Sequence, residues 1–201
     1  IYIVLIYMEI ISPYKNLVQY TRIQLQPYHL NSDITDNMFS ILQNKLEKKC
    51  NKYGFIDEIY QIIKHSDGIM LPENLSVNVT IEVDYSCRFC VPIENSAIIC
   101  QIKSVNTDLI IAKNGPIIVF ISRNNIDTNV WNIMNEIIHI KTNETLKIND
   151  FVKIFIIKKK INENDTQIKC IGNLLDYSTE DENIKYYNNL ENNNSNNNFI
   201  L

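Results

Sequence analysis

The chain is poor in residues that bend the backbone sharply, since its 201 residues include only four glycines and five prolines. Glycine is favoured where φ must be positive or where two backbones approach closely. We therefore expect Gly54, Gly68, Gly115 and Gly172 each to mark a specific bend. No two of them are close enough in sequence for a P-loop or a dinucleotide-binding fingerprint, which excludes functions that depend on a glycine-rich phosphate loop.

Residues with the spacing of metal or catalytic sites are also scarce. The five cysteines are an odd number, which fits a reducing intracellular compartment. Cys87 and Cys90 have the spacing of half a zinc site, but a second pair is lacking, and residues three apart on a strand point to opposite faces. His29, His65 and His139 are far apart in sequence, with no carboxylate or cysteine at ligand or triad spacing. We expect no metal, no cofactor and no catalytic residue.

The charge and the first residues exclude two further classes. A net charge of -4 leaves no global basic footprint for nucleic acid. Residues 1–7 are apolar but too few to span a bilayer, and they lack the basic flank and small-residue cleavage site of a signal peptide. We treat residues 1–16 as an N-terminal extension and expect no membrane partner.

The first half of the chain contains patterns for a strand, a helix and a hairpin. Residues 21–26 alternate as a strand, and apolar residues recur at helical spacing over residues 33–52. Residues 55–64 form a second strand pattern, and residues 66–68 predict a turn. An unbroken alternation over residues 77–91 then predicts one half-buried strand, which is long enough to run from one subdomain into the next.

After Pro92 the sequence changes to short strand patterns separated by turn residues. These patterns cover residues 97–103, 109–113, 117–122, 151–160 and 167–175. The intervening residues 124–149 are irregular, with one short helix expected around Trp131. At least five antiparallel strands in about ninety residues are typical of a small closed barrel of the OB type. From residue 179 the chain is acidic and Asn-rich, so we expect a mostly disordered tail.

The order of these elements resembles the seventh-subunit family of RNA polymerase II, whose archaeal counterpart is the E-prime subunit. The resemblance covers roughly residues 18–178, and its specificity lies in the order of several short motifs. The motifs are Leu25-Gln26-Pro27, Tyr53-Gly54-Phe55-Ile56, Gly68-Ile69-Met70-Leu71-Pro72, Tyr85-Ser86-Cys87-Arg88-Phe89, Asn114-Gly115-Pro116, Val119-Phe120-Ile121 and Cys170-Ile171-Gly172-Asn173-Leu174. All four glycines fall on the turn positions of that family.

The resemblance implies both a fold and a function. The fold is an α+β N-terminal domain (strand–helix–hairpin, residues 17–88), then an all-β OB-type barrel over residues 89–178 and the tail, residues 179–201. The function is that of a non-catalytic stalk subunit that docks on the large subunits of a DNA-directed RNA polymerase and contacts nascent RNA. A small helical stalk partner accompanies this family and is a candidate partner here. The polymerase-docking residues implied by the resemblance are Gly54, Phe55, Asp67, Gly68 and Ile69.

Single-stranded RNA is the expected ligand of the barrel, and its candidate contacts are basic. Phosphate contacts supply salt-sensitive, sequence-independent affinity, and exposed aromatic side chains add stacking. The candidate RNA-binding residues are Lys103, Lys113, Arg123, Lys153 and the run Lys158-Lys159-Lys160. The run is equally explained as the solvated end of a strand. Phe120 and Phe151 are the stacking candidates, although Ile-rich neighbours favour core positions for both.

Two other function classes remain open at this stage. A free-standing RNA-binding OB-fold protein, similar to a translation factor, would not need the N-terminal strand–helix–hairpin domain. An enzyme of unrecognised fold has only the absence of motifs in its favour. The excess of Ile and Asn is typical of an AT-rich genome, either of a large cytoplasmic DNA virus or of a protist. We expect an intracellular protein: in the virus-factory cytoplasm and the virion if viral, or in the nucleus if cellular.

Overall fold

The computed structural model describes residues 10–70, 77–134 and 136–195, which form an antiparallel sheet joined to a closed barrel. The sheet strands are β1 (Tyr14–Leu25), β2 (Lys49–Cys50), β3 (Phe55–His65), β4 (Ile69–Met70) and β5 (Val79–Cys90). The barrel strands are β6 (Ala97–Val105), β7 (Leu109–Asn114), β8 (Ile117–Ser122), β11 (Phe151–Lys160) and β12 (Ile168–Tyr177). A hairpin of β9 (Trp131–Ile133) and β10 (Ile137–His139) and the α-helices α1 (Ile34–Leu46) and α2 (Glu180–Ser195) complete the described part.

Strand β5 is the centre of the sheet and is one continuous strand, as the alternation predicted. Along one edge it pairs with β1, from Leu25 opposite Val79 to Tyr14 opposite Cys90. Along the other edge it pairs first with β4, at Val79 and Thr80, and then with β3, from Val83 to Cys90. Its inward side chains are buried beneath α1, and they are Val79, Ile81, Val83, Tyr85, Cys87 and Phe89.

Helix α1 is shorter than the helical spacing predicted, because the chain turns into the sheet before residue 52. Met38 and Leu42, one helical turn apart, are its buried side chains. The helix ends at Leu46, and Lys48 then adopts a positive φ of 59°. The next two residues pair with β3 as strand β2, so tertiary pairing replaces the last turn of the predicted helix.

The barrel closes in the order β11-β12-β8-β7-β6 and is consistent with the predicted OB type. The pair β12–β8 is parallel, and the other four pairs are antiparallel. The prediction of a short helix around Trp131 is wrong, because this stretch forms the β9–β10 hairpin. The Trp131 side chain is buried and its Nε1 donates a hydrogen bond to the Leu175 carbonyl oxygen at 2.9 Å, which anchors the hairpin to β12.

The sheet and the barrel share a core where they meet. Tyr14, Cys50, Phe55 and Cys90 of the sheet are buried together with the barrel's apolar side chains. The Cys50 amide donates to the Asp165 carbonyl oxygen at 2.8 Å, which ties β2 to the loop before β12. The junction is therefore a packed contact between the two units.

The glycines mark close approaches more often than positive φ. Among the four, Gly115 alone has a positive φ (54°), and it faces the Tyr14 hydroxyl. A Cβ on Gly54 would lie 2.6 Å from a ring carbon of Phe89 and 2.8 Å from the Cys90 carbonyl oxygen. A Cβ on Gly68 would overlap the Val79 side chain.

The two termini differ from their predictions. The tail was expected to be disordered from residue 179, but α2 forms because two tyrosines give the helix an apolar side. Tyr186 is buried against the barrel, where its hydroxyl accepts a hydrogen bond from Asn114 Nδ2 at 2.8 Å. At the other terminus, β1 begins at Tyr14, inside the predicted extension. Residues 1–9 and 196–201 of these two predictions lie outside the described residues.

Candidate functional site

One row of outward side chains crosses four neighbouring barrel strands and carries three lysines. Lys113 on β7 is opposite Ile118 on β8, Ile118 is opposite Lys169 on β12, and Lys169 is opposite Lys160 on β11. Neighbouring strands lie about 4.8 Å apart, so the three lysines fall within roughly 15 Å along the barrel surface. Such spacing suits successive contacts to an extended polyanion.

A second row beside the first is mainly apolar. It runs from Ile111 through Phe120 and Ile171 to Lys158. Phe120 is half-buried and is not part of the barrel core, so the prediction of a core position for it is wrong. Ile171, its neighbour in the row, is 50% exposed. Lysines beside an outward aromatic ring are the combination that single-strand-binding proteins use. We call the two rows together the barrel face: Ile111, Lys113, Ile118, Phe120, Lys158, Lys160, Lys169 and Ile171.

The barrel face brings like charges together. Lys160 and Lys169 are directly opposite each other, an arrangement that destabilises a strand pair unless an anion is near. Asp165 supplies part of that compensation, with Oδ2 3.5 Å from Lys169 Nζ. A hydrogen bond from Asn162, together with the charges of Lys169 and Lys160, holds the pKa of Asp165 below its usual value. Glu94 lies nearby, where its Oε1 accepts a hydrogen bond from the Lys159 amide at 3.0 Å. Among the described residues Lys160 has no ion pair, so the Lys160–Lys169 pair can still attract a phosphate.

The remaining predicted RNA-binding residues are dispersed. Lys159 points away from Lys158 and Lys160, and its Nζ donates to the Pro92 carbonyl oxygen at 2.9 Å. Lys153 is paired with Glu182 of α2 at 2.8 Å. Lys103 is exposed on β6 next to β7, and Arg123 is exposed in the turn after β8, at the opposite end of that strand from Lys113.

Lys169 belongs to the barrel face, although no basic run marks it in the sequence. It lies on β12, where the exposed Lys169 alternates with the buried Ile168 and Cys170. That alternation places Lys169 on the outer surface, but its alignment with Lys160 and Lys113 depends on pairings between distant strands. The local pattern could therefore have suggested the residue, but not its position in the row.

The predicted docking residues lie at opposite ends of the sheet. Gly54 and Phe55 are buried at the junction with the barrel. Asp67, Gly68 and Ile69 are exposed beyond the other end of β3. A strand of the length of β3 spans roughly 35 Å, so the two groups do not form one surface.

The end of the sheet that is remote from the barrel exposes several large apolar side chains. Leu25 at the end of β1 and Met70 on β4 are both opposite Val79, so β1 and β4 flank β5 on its two edges at this end. We call this exposed apolar set the sheet tip: Tyr28, Leu30, Ile69, Met70 and Val77. Val77 has a φ of 58°, which is unusual for a β-branched residue. Groups of exposed apolar side chains mark surfaces that bind other proteins.

No protein-family model matches the chain. The chain is 34% identical over 169 residues to a protein of Acanthamoeba polyphaga mimivirus named "Putative DNA-directed RNA polymerase subunit". The alignment covers 84% of this chain and 84% of the relative. This chain belongs to that family of DNA-directed RNA polymerase subunits. The prediction of an RNA polymerase subunit is therefore confirmed at the level of the enzyme complex.

The cysteines of this polymerase subunit are not suited to chemistry. All five are free and buried. Burial raises the pKa of Cys87 to about 12 and is the main cause that raises the pKa of Cys50 to about 11. Both thiols therefore stay protonated near neutral pH. A cysteine that acts as a nucleophile or as a metal ligand must instead be a thiolate. In the described part of the chain, no cluster of His, Cys, Asp and Glu could hold a metal ion, and no helix is long and apolar enough to span a membrane.

A buried histidine in the polymerase subunit has a structural explanation. His139 packs edge-on against Trp131 and lies beside Tyr177, with ring centroids 5.1 and 5.5 Å away. Its Nε2 is 3.0 Å from Asp176 Oδ1 without forming a hydrogen bond, and its Nδ1 is 3.0 Å from Thr142 Oγ1. These contacts fasten the β9–β10 hairpin to β12. The sequence offers no signal for them, because residues 139 and 176 are brought together only by the fold.

Proposed function

We propose that this chain is the stalk subunit of its RNA polymerase, equivalent to the seventh-subunit family, and that it contacts nascent single-stranded RNA without catalysing a step. The barrel face is the observation that carries the proposal, because it combines aligned lysines with an outward aromatic ring on an OB-type barrel. Family membership supports the polymerase context. The order of elements and motifs supports the stalk assignment.

The composition of the barrel face favours weak and sequence-independent binding. Lysines contact phosphates and carry no base information. The whole chain has a net charge of -4, so attraction to RNA is local to this face. We expect micromolar or weaker affinity for free RNA, on the order of what a few screened phosphate contacts give. Attachment to the polymerase would compensate, because tethering raises the local concentration of transcript to roughly the millimolar range.

The sheet tip is the surface that we assign to docking on the large polymerase subunits. It lies at the end of β5 remote from the barrel, roughly 40 Å along a strand of that length. Docking there would let residues 17–88 act as the attachment unit and leave the barrel, residues 89–178, projecting toward the transcript. A small helical partner would bind elsewhere on the chain. Because the relative comes from a virus, we place this subunit inside the infected cell, at the sites of viral transcription.

A crosslinking experiment tests the RNA contact in the assembled enzyme. A benzophenone amino acid replaces Phe120 on the barrel face, and transcription is started with radiolabelled nucleotide. We expect labelled nascent RNA to crosslink to this subunit, because an outward ring on the RNA path would lie against a base. The control replaces Tyr20, which is 54% exposed on β1 of the sheet. Equal labelling at both positions, or none at Phe120, would show that the barrel face is not on the RNA path.

A second experiment tests docking with the double substitution Ile69→Asp/Met70→Asp. Both side chains are more than half exposed, so the fold should be retained while association with the large subunits is lost. The matched control places two acids on exposed apolar positions of the barrel, Leu109→Asp/Ile148→Asp. Co-purification with the large subunits is measured for both. Normal incorporation of the tip variant would place docking elsewhere.

The same co-purification experiment distinguishes a polymerase subunit from the alternative function, a free-standing RNA-binding protein. A free-standing RNA-binding OB-fold protein would not be recovered with the large subunits, even as the wild-type chain. Gly68→Val is a poor probe of docking, because its side chain would collide with Val79 and disturb β4 itself. The φ of Gly68 is not positive, so a side chain is excluded there by the close approach of Val79 and not by backbone strain.

A further inference from the structure

Helix α2 covers a strip of barrel surface with the same chemistry as the barrel face. The strip consists of Phe151 and Lys153, which lie on β11, the strand that also carries Lys158 and Lys160. Lys153 and Lys158 are five positions apart along the strand, roughly 17 Å. The two surfaces are therefore neighbours on one strand, one open and the other covered.

Helix α2 makes one contact to each of the two side chains of the strip. Glu182 Oε1 lies 2.8 Å from Lys153 Nζ, and the Tyr187 ring meets the Phe151 ring edge-on at 5.8 Å between centroids. The carboxylate occupies the place on the lysine that a phosphate would take, and the tyrosine ring covers the phenylalanine on which a base would stack.

The charge of Glu182 persists at neutral pH. Desolvation acts to raise its pKa, but the hydrogen bonds from Lys153 and from the Thr179 backbone amide together hold the pKa below its usual value. The Thr179 amide donates to Glu182 Oε2 at 3.0 Å, and the Glu182 amide donates to Thr179 Oγ1 at 3.3 Å. Glu182 thus also completes the capping box that starts the helix.

The helix can be displaced because few of its described side chains, those of residues 180–187, hold it to the barrel. Within residues 180–187, Tyr186 is the one buried side chain, and the Lys153–Glu182 pair is partly exposed. Ion pairs between partly exposed groups contribute little to stability in water. A polyanion at the barrel could therefore compete with Glu182 for Lys153.

We propose that the Phe151–Lys153 strip is a second site for single-stranded RNA and that α2 keeps it closed, with Glu182 in the place of a phosphate and Tyr187 in the place of a base. RNA on the barrel face extends along β11 into the strip as α2 moves aside. This inference rests on the proposed function and adds a regulatory element to it: the acidic helix lowers the affinity of the free subunit for RNA.

The first test is Glu182→Gln in the full chain. Glutamine can still complete the capping box, so the substitution removes the charge and keeps the helix start. Binding of a fluorescent oligouridylate at low salt should become about three- to tenfold tighter, since Lys153 would be released for phosphate. Glu180→Gln is the matched control, because Glu180 is an exposed acid in the same helical turn. Equal effects of the two substitutions, or no gain with Glu182→Gln, would overturn the inference.

The second test adds Lys153→Gln to Glu182→Gln. The gain in affinity should disappear, and Lys153→Gln alone should bind RNA no more tightly than the wild type, because the strip then lacks its phosphate contact. Hydrogen exchange of the α2 amides should become faster when RNA is added to the wild-type chain. Unchanged or slower exchange would overturn the closed-strip inference while leaving binding at the barrel face intact. Absence of RNA binding by the wild type and by every variant would instead overturn the proposed RNA contact itself.

Discussion

Replacing Ile81 with Asp should destabilise the chain by roughly 3–5 kcal/mol, because the carboxylate would enter a buried apolar face without a partner. Ile81 is 3% exposed, lies opposite Ile23 of β1 and belongs to the core beneath α1. Urea unfolding followed by circular dichroism measures the change. Thr80→Asp places the same charge on the adjacent, partly exposed position and should cost far less. A loss below about 1 kcal/mol with Ile81→Asp would contradict the burial of this face.

The same variant tests whether the sheet and the barrel unfold together. Strand β5 ends at Cys90, which is buried in the barrel core, so destabilising its middle should also destabilise the barrel. Trp131 is the chain's single tryptophan and lies against the barrel, so its fluorescence reports on that unit. We expect the fluorescence and the circular dichroism to change in one transition. A barrel that keeps its wild-type midpoint would show that the two units unfold independently.

Strand positions could be predicted well from the sequence because alternation is a local property. The pattern over residues 117–122 matches β8, and the pattern over residues 151–160 matches β11, at both ends. The pairing of β12 with β8 could not be predicted in this way. The paired residues, such as Ile117 and Ile168, are 51 positions apart in sequence, and the register that aligns Lys113 with Lys169 depends on this pairing.

Local composition was misleading where a few tertiary contacts decide the structure. The tail from residue 179 is polar overall, yet Tyr186 and Tyr187 are enough to hold the described part of α2 on the barrel. The stretch around Trp131 lacks a clear period, and its hairpin is fixed by the hydrogen bond to the Leu175 carbonyl oxygen. Leu175 is far from Trp131 in sequence, and the barrel residues are far from the tyrosines of α2. A pattern read over a short stretch of sequence therefore could not predict either contact.

Strand geometry separates the members of the predicted site. In the run of three lysines, Lys158 and Lys160 share the outer face and Lys159 does not, since side chains alternate along a strand. The docking prediction joined Gly54 and Gly68, which are close in sequence. Strand β3 lies between them and separates them by its whole length.

The largest expected effect on RNA binding comes from Lys158→Glu/Lys160→Glu/Lys169→Glu. This variant reverses three exposed charges of the barrel face and spares Lys159, whose ammonium group holds the Pro92 loop. Affinity for any single-stranded RNA should fall at least about tenfold, because three phosphate contacts become repulsions. The slope of log affinity against log salt should become shallower by about 2, at roughly 0.7 per lost contact. Filter binding at several salt concentrations measures both quantities.

The control for this variant must change the net charge equally without touching the barrel face. Lys15→Glu/Lys45→Glu/Lys64→Glu does so, because these three lysines are exposed on β1, α1 and β3. A general electrostatic effect of the whole chain would weaken RNA binding equally in both variants, whereas contacts at the barrel face predict a large loss in the first variant alone. Uniform loss across oligouridylate and oligoadenylate would fit phosphate contacts, since these carry no base information. Wild-type binding by the barrel-face variant would show that these lysines are only solvated strand positions, and the RNA contact would then lie outside the barrel face.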